Sequence, residues 1–456
     1  MKSTMSEDEA IYQIYLRNYT DEGTFAAAIP RLPEIAGMGF QWILLTPIHP
    51  IGREARKGSL GSPYAIADYK AINPELGSIE DFEDFLAEAH ALGLKVLMDV
   101  VFNHCAPDSG LAREHPEYFM LEGQVPAVRR GELETPAPGA RLGRKCQDWS
   151  DVVDFDFSSS PALWMELESV LQFWRDKGID GFRCDVASLV PVDFWKHARQ
   201  KLNQYDPGSR RERYPLVWLA ESVHPAFLQS LRQRGFGAWS EPELHSVFDV
   251  SYDYDGWERL EKVWAGSLPA SAYLDYLYTQ ETLYPAGAMK LRFLENHDLE
   301  RSASRFVTPS RLRAWTLAIF FIPGVPMAYM GQEFALERKP SLFDKDSLNW
   351  SVGDREHRLW FGALMKAMRG KENSEGIKRC APYFSYRELA RGVFILERRI
   401  KPGDAHPRYI ALINLEGWNK PVSLPEPLVG RELLSGEPLN LDTQPLLFEE
   451  PVIIEL

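Results

Sequence analysis

The chain has little cysteine. Cys105, Cys146, Cys184 and Cys380 are the whole complement among 456 residues. Four are too few for a disulfide scaffold, and none forms a close pair with metal-ligand spacing. Reduced, partly buried thiols are expected, since nothing in the spacing supports a Cys105–Cys146 bridge. Cationic excess is also missing. With 51 Lys and Arg against 65 Asp and Glu, the formal charge is −14, which argues against nucleic acid as a partner, because phosphate binding rests on clustered Lys and Arg. Met1–Ala10 carries Lys2, Glu7, Asp8 and Glu9 and no apolar run, so neither a secretory signal nor a membrane anchor is expected, and the cytoplasm is the expected location. There is no internal repeat, low-complexity tract or transmembrane run, and no motif reports the oligomeric state.

What is present is a rhythm. From Ile11 to about Lys371, short aliphatic or beta-branched runs alternate with longer amphipathic segments, the pattern of successive beta-alpha units. Eight runs are predicted as strands: Ile11–Asn18, Trp42–Leu45, Lys95–Val101, Gly181–Asp185, Val217–Glu221, Ser246–Ser251, Lys290–Leu294 and Pro326–Met330. Helical spacing is found in Ile79–Leu92, Ala162–Lys177, Val192–Leu202, Phe227–Arg234, Pro309–Phe321 and His357–Arg369. Eight strands with outer helices predict an α/β fold, a closed (β/α)8 TIM barrel.

The third unit breaks this rhythm. After Val101 the chain passes Pro107, Gly110, Pro116, Pro126, Pro136, Pro138 and Gly139 before the next helix, and an irregular excursion of that length is functional or a small inserted subdomain. After Lys371 the helical pattern stops, and Tyr383–Tyr386, Gly392–Arg398, Arg408–Asn414 and Pro451–Leu456 read as short strands of a C-terminal β-sandwich.

Polar residues gather where the predicted strands end. The third strand ends in Asp99-Val-Val-Phe-Asn103-His104, the fourth in Gly181-Phe-Arg183-Cys-Asp185, the fifth in Leu219-Ala-Glu221 and the seventh in Phe293-Leu-Glu-Asn296-His297-Asp298. Barrel enzymes assemble their active sites at that rim. Any one of these groups reads equally well as a helix cap or loop residue; together they predict a site. Arg183 lies two residues before Asp185, so both side chains share one side of a strand and the guanidinium favours the ionised carboxylate. Cleaving an acetal needs a proton donor for the departing oxygen and a group that captures or stabilises the cationic sugar carbon, which two carboxyls supply. Metal-assisted hydrolysis would need more ligands around one ion than His104 and His297 on separated strands provide.

These segments, in this order, resemble the four hallmark segments of the alpha-amylase family, glycoside hydrolase family thirteen. Ser62-Pro-Tyr64-Ala-Ile-Ala-Asp68-Tyr69 and Pro323-Gly-Val-Pro-Met-Ala-Tyr329-Met-Gly331-Gln-Glu333 are similar to two further family segments. The resemblance implies Asp185 as nucleophile, Glu221 as acid/base and Asp298 as a carboxylate gripping sugar hydroxyls. It also implies that Arg183 orients Asp185, that His104 and His297 hydrogen-bond the sugar at the cleavage point, and that Tyr64 stacks on it. Glu221 would then need a proton at neutral pH, hence a raised pKa. The implied domains are 8–104 with 158–375 for the barrel, 105–157 for an inserted domain B and 376–456 for the C-terminal domain.

The implied substrate is an alpha-glucan or a malto- or isomalto-oligosaccharide, and the implied activity is retaining hydrolysis. Transfer of the glucosyl group to a sugar, or isomerisation, is the alternative, because it shares the covalent intermediate. A catalytically silent barrel would have lost a catalytic carboxylate, and none is lost. Typical alpha-amylases carry Lys-His where this chain has Ser188-Leu189, and Val186 after the nucleophile is closer to enzymes accepting alpha-1,6 links. Asp154-Phe-Asp156-Phe matches a fifth family segment poorly. Trp149, Trp239 and Trp257 are candidate sugar platforms. No redox or organic cofactor is expected. Many relatives bind calcium through an Asn at the position of Asn103, carboxylates of the inserted domain and a main-chain carbonyl near Leu189, so the resemblance raises calcium without assigning any metal ligand here.

Overall fold

The fold was analysed on a computed structural model, which describes residues 5–123, 141–203, 215–306, 308–370 and 375–456. Pro126, Pro136, Pro138, Gly139 and the expected break at Lys371 lie outside these residues. Eight parallel strands close into a barrel: β1 Ile11–Ile14, β2 Trp42–Leu45, β3 Lys95–Val100, β4 Gly181–Cys184, β5 Val217–Ala220, β6 Val250–Tyr252, β7 Met289–Arg292 and β8 Val325–Tyr329, with β1 paired to both β2 and β8. The strands are buried almost throughout because helices cover their outer faces, which is why they read as apolar runs.

Two strand limits differ from expectation. The run expected from Ile11 to Asn18 leaves the sheet at Ile14, and Leu16–Tyr19 coils into a helical turn whose Asn18 amide donates to the Ser341 carbonyl at 2.7 Å. The run expected at Ser246–Ser251 pairs only from Val250, because Ser246, Val247 and Phe248 turn back onto carbonyls of the short helix Glu241–Leu244.

The helices follow their caps. Ser78 and Asp81 form a reciprocal capping box at the start of Ile79–Ala91. Pro161–Lys177 opens on a proline behind Ser160 and stops at Gly178, whose φ of 110° suits a residue without a Cβ. Val192–Leu202 and Pro309–Phe321 match the expected limits. Two helices between β6 and β7, Tyr254–Trp264 and Ser271–Leu283, were not expected from the sequence.

The excursion after β3 returns to the barrel rim as an antiparallel pair, with His104 opposite Asp154 and Cys105 opposite Val153. This tether fixes the side of the cleft on which the small lobe sits.

The C-terminal strands make one six-stranded antiparallel sheet in the order Tyr383–Ala390, Val393–Arg399, Tyr409–Asn414, Val452–Glu455, Leu428–Glu432, Pro438–Leu441. A two-layer sandwich was expected; among the described residues these strands form this one sheet, with an isolated bridge between Val422 and Leu446 beside it. Alternation along Val393–Arg399 gives each face its own apolar set: Phe394 and Leu396 join the barrel core, whereas Ile395 packs with Ile410, Leu412, Leu428 and Ile454. Buried Arg398 donates to the Phe321 carbonyl, at 3.0 Å from Nε and 2.5 Å from Nη2, and so ties the sheet to the end of helix Pro309–Phe321. All four cysteines are free thiols. Among the described residues, no helix is long and apolar enough to cross a membrane.

Candidate active site

The register of the barrel builds the site. Asp99 on β3 pairs with Arg183 on β4, and Val100 with Cys184, so Asp185 emerges at the rim beside them. Arg183 is fully buried. Its Nη1 lies 2.8 Å from both Asp99 carboxylate oxygens and 2.9 Å from Asp185 Oδ1, and its Nη2 lies 2.6 Å from Glu221 Oε1. One cation thus serves three carboxylates, and with all three ionised the cluster would carry a net charge of about −2 in a poorly hydrated place.

The cluster therefore resists full ionisation. Burial and the neighbouring Glu221 push Asp185 well above the usual carboxylate range, against the pull of Arg183. Burial likewise raises Asp99 to about 6, although Arg183 opposes the shift. A proton in so tight a set belongs to the set, not to one residue. The upward shifts fall on Asp185 and Asp99, which share the guanidinium with Glu221.

The backbone after Asp185 is strained. Val186 adopts φ 35° and ψ 48°, a left-handed conformation that costs a beta-branched residue on the order of 1–3 kcal/mol. Its N–H meets Glu221 Oε2 at 2.8 Å, while the Ala187 N–H meets the Glu221 carbonyl at the same distance. The strained turn therefore locks the Asp185 and Glu221 loops together.

The other expected residues surround this pair. His104 Nε2 is 4.0 Å from Asp185 Oδ2. Its Nδ1 faces the Asn103 amide nitrogen at 3.0 Å, so Nε2 carries the hydrogen toward the cleft. Burial, with Lys145 and Lys57 nearby, lowers His104 to about 3 and keeps it neutral. His297 Nδ1 meets Gln13 Nε2 at 3.1 Å, and its Nε2 meets the Tyr64 hydroxyl at 2.6 Å and Asp298 Oδ2 at 3.1 Å. The Tyr64 hydroxyl donates to Asp99 Oδ2 at 3.0 Å, and the Tyr64 ring stacks on His297 at 5.4 Å between centroids. Burial tends to raise Asp298, but contact with His297, aided by Arg183 and Lys339, outweighs it and holds this carboxyl below its usual range. The site thus sets carboxyls held above their usual range beside one held below it. All seven expected residues come together at one rim.

Asp185, Glu221, Asp298, Tyr64 and His104 line a cleft of about 390 Å³. Of the candidate platforms, only Trp149 lines it, 5.4 Å from His104 between ring centroids. Trp257 is core, stacked on Phe293 at 5.0 Å, and Trp239 is half-buried against the barrel core away from the cleft. Ser188 is buried and accepts from the Val223 N–H at 3.3 Å, so it offers nothing to a sugar.

Sequence reasoning missed Lys57, Asp151, His224, Phe227, Tyr254 and Phe343, which also line the cleft. Lys57 and Asp151 form an ion pair at 2.8 Å across 94 positions, and His224 stacks on Tyr254 at 4.5 Å. Lys57, Asp151 and Phe343 sit on loops without periodicity, whereas His224, Phe227 and Tyr254 lie at the starts of the helices Pro225–Gln233 and Tyr254–Trp264, and only the closed barrel brings them together.

The oxygens expected for calcium are engaged otherwise. Lys145 Nζ lies 2.6 Å from Asn103 Oδ1 and 3.3 Å from the Leu189 carbonyl. Among the described residues, no group of three or more His, Cys, Asp or Glu could hold a metal ion. The residues present do not fit calcium at that junction.

Comparison with known proteins agrees with the geometry. The family model described as the alpha-amylase catalytic domain matches residues 5–123. An alpha-amylase from Lactobacillus plantarum is 35% identical, with 99% of each chain covered and a TM-score of 0.86. A maltogenic alpha-amylase from Thermotoga neapolitana is 29% identical, again with 99% of each chain covered, at a TM-score of 0.76. An alpha-1,4-glucan:maltose-1-phosphate maltosyltransferase from Methylacidiphilum infernorum is 34% identical over 248 residues, which is 49% of this chain and 34% of that protein. The chain therefore spans about a third of the length of such curated relatives. With its barrel, its rim of carboxylates and a relative aligned end to end, this chain belongs to the alpha-amylase family.

Proposed function

We propose that the chain is a retaining alpha-glycoside hydrolase acting on alpha-glucans or malto- or isomalto-oligosaccharides. The observation that carries this reading is the sharing of one guanidinium by Asp185 and Glu221, with Val186 N–H linking the two loops a second time. A close carboxyl pair suits double displacement, which wants the two groups about 5–5.5 Å apart. Positive charge developing on the anomeric carbon favours ionised Asp185 and leaves the shared proton on Glu221. Asp185 attacks that carbon, and Glu221 gives its proton to the departing oxygen as the glycosidic bond breaks. The glycosyl ester removes the Asp185 charge; Glu221 then takes a proton from the incoming water, whose oxygen bonds to the anomeric carbon as the ester bond to Asp185 breaks and frees its carboxylate. Asp298 and the His104 and His297 imidazoles bind hydroxyls of the distorted sugar, and Tyr64 gives it a ring face.

Transfer to a sugar or phosphate acceptor is the second reading, favoured by the maltosyltransferases among the relatives. The covalent step is common to both, so the acceptor decides.

Chromatography of products from maltotriose, isomaltose, panose, sucrose, trehalose and soluble starch tests the proposal, with wild type beside Asp185→Asn. Smaller sugars formed by wild type and not by the variant support hydrolysis. Longer products, or turnover only when phosphate or an acceptor sugar is added, assign transfer. No conversion of any of these sugars contradicts the alpha-glucan reading.

A further inference from the structure

The junction between the small lobe and the barrel is built around a cation. Asn103 follows β3, the Leu189 carbonyl closes the turn Ala187–Leu189 after β4, and Asp154 pairs across from His104. These bring an amide oxygen, a main-chain carbonyl and a carboxylate to one place, the hard oxygen types that calcium takes. Lys145, only 5% exposed, reaches into them, with Nζ 2.6 Å from Asn103 Oδ1 and 3.3 Å from the Leu189 carbonyl. Its own N–H donates to Asp154 Oδ2 at 2.7 Å, and Asn103 Nδ2 lies 3.4 Å from Asp154 Oδ1. Burial disfavours the ammonium, and the Asp154 charge works against that penalty.

Ammonium and metal exclude one another here. A calcium ion at its usual 2.3–2.6 Å from the Asn103 and Leu189 oxygens would occupy the volume of Nζ. We propose that Lys145 is a built-in cation that takes the place of calcium at this junction, so that the chain holds its lobe without metal, and that cutting the side chain back opens a calcium site. The consequence reaches the active site through one residue. Asn103 Oδ1 accepts from Lys145 Nζ while its Nδ2 donates to His104 Nδ1, which sets the hydrogen of His104 toward Asp185.

Scanning calorimetry of the full chain in excess EDTA and in excess calcium chloride tests the proposal on wild type, Lys145→Ala and Lys145→Met. Wild type should melt at one temperature in both buffers and retain no calcium by metal analysis after dialysis. Lys145→Ala should melt several degrees lower in EDTA and recover part of that loss in calcium. Lys145→Met, whose long side chain still fills the space, should melt lower in both buffers and ignore calcium. A wild-type melting temperature that falls in EDTA overturns the proposal even if neither variant folds. So does a folded Lys145→Ala protein that is indifferent to calcium. None of these readings depends on which sugar the enzyme accepts.

Discussion

Arg183 on β4 holds Glu221 at the end of β5 by a contact of 2.6 Å, so the guanidinium that steadies the proposed nucleophile also touches the proposed acid. In the proposed mechanism the carboxyls gathered on this guanidinium share a proton that moves to Glu221 as positive charge grows beside Asp185.

This sharing predicts unequal demands on Glu221. Glu221→Gln should lower turnover of maltotriose by about 10²–10⁴-fold. With alpha-glucosyl fluoride, whose leaving group needs no proton, kcat/KM, which reads the first step alone, should fall far less. Equal losses of kcat/KM on both substrates would remove Glu221 from the acid role.

Asp99 raises Asp185 through its negative charge, and it titrates near 6 itself. Asp99→Asn should therefore move the acid limb of the kcat/KM profile to lower pH, by roughly one unit. The profile is the measurement, and a limb that stays in place or moves upward contradicts the assignment. Overall rate should also fall, because Tyr64 and Arg183 both rest on Asp99.

The same shift predicts a cost in stability. Asp185 has a folded-state pKa above the unfolded value of about 3.9, so its protonation stabilises the fold. That contribution is fully present below about pH 4 and is lost as pH rises through the folded value. At neutral pH that contribution has diminished, so Asp185→Asn, which has no charge to bury, should raise the Tm by a few degrees, with the gain shrinking in acid. Thermal melts across pH check this. A variant that melts at or below the wild-type temperature at neutral pH contradicts it, since Arg183 keeps two carboxylates either way.

At the other end of the molecule, Arg398 caps the carbonyl of Phe321. A cation on the last turn of a helix in a buried setting stabilises by up to about 2 kcal/mol. Arg398→Met should lower the Tm without changing KM. Calorimetry with parallel kinetics separates the two, and a changed KM would mean that the sheet reaches the cleft.

The strand ends were the most legible part of the molecule. Asp99, Arg183, Asp185, Glu221, His297 and Asp298 lie close to short apolar runs, and a parallel barrel carries every such end to one rim. Val192–Leu202 and Pro309–Phe321 were readable because a capping or proline signal coincides with the start of the apolar pattern. Ser271–Leu283 was not readable: its tyrosines 273, 276 and 278 fall on both buried and outer faces, which blurs the helical stripe. Lys145 was illegible for a different reason. It sits on a loop, and its partner Asn103 is 42 positions away, so only the folded lobe reveals the contact. Trp257 shows the reverse error, an aromatic residue offered as a platform that the core takes up.

Retention of configuration at the sugar carbon is the most direct test of the central reading. Proton NMR of the reaction, recorded within the first minutes on a malto-oligosaccharide the enzyme converts, reads the anomer first released. Double displacement through Asp185 predicts the alpha anomer, with the beta anomer growing only as mutarotation proceeds. A first-formed beta anomer would mean single displacement by water and would contradict Asp185 as nucleophile.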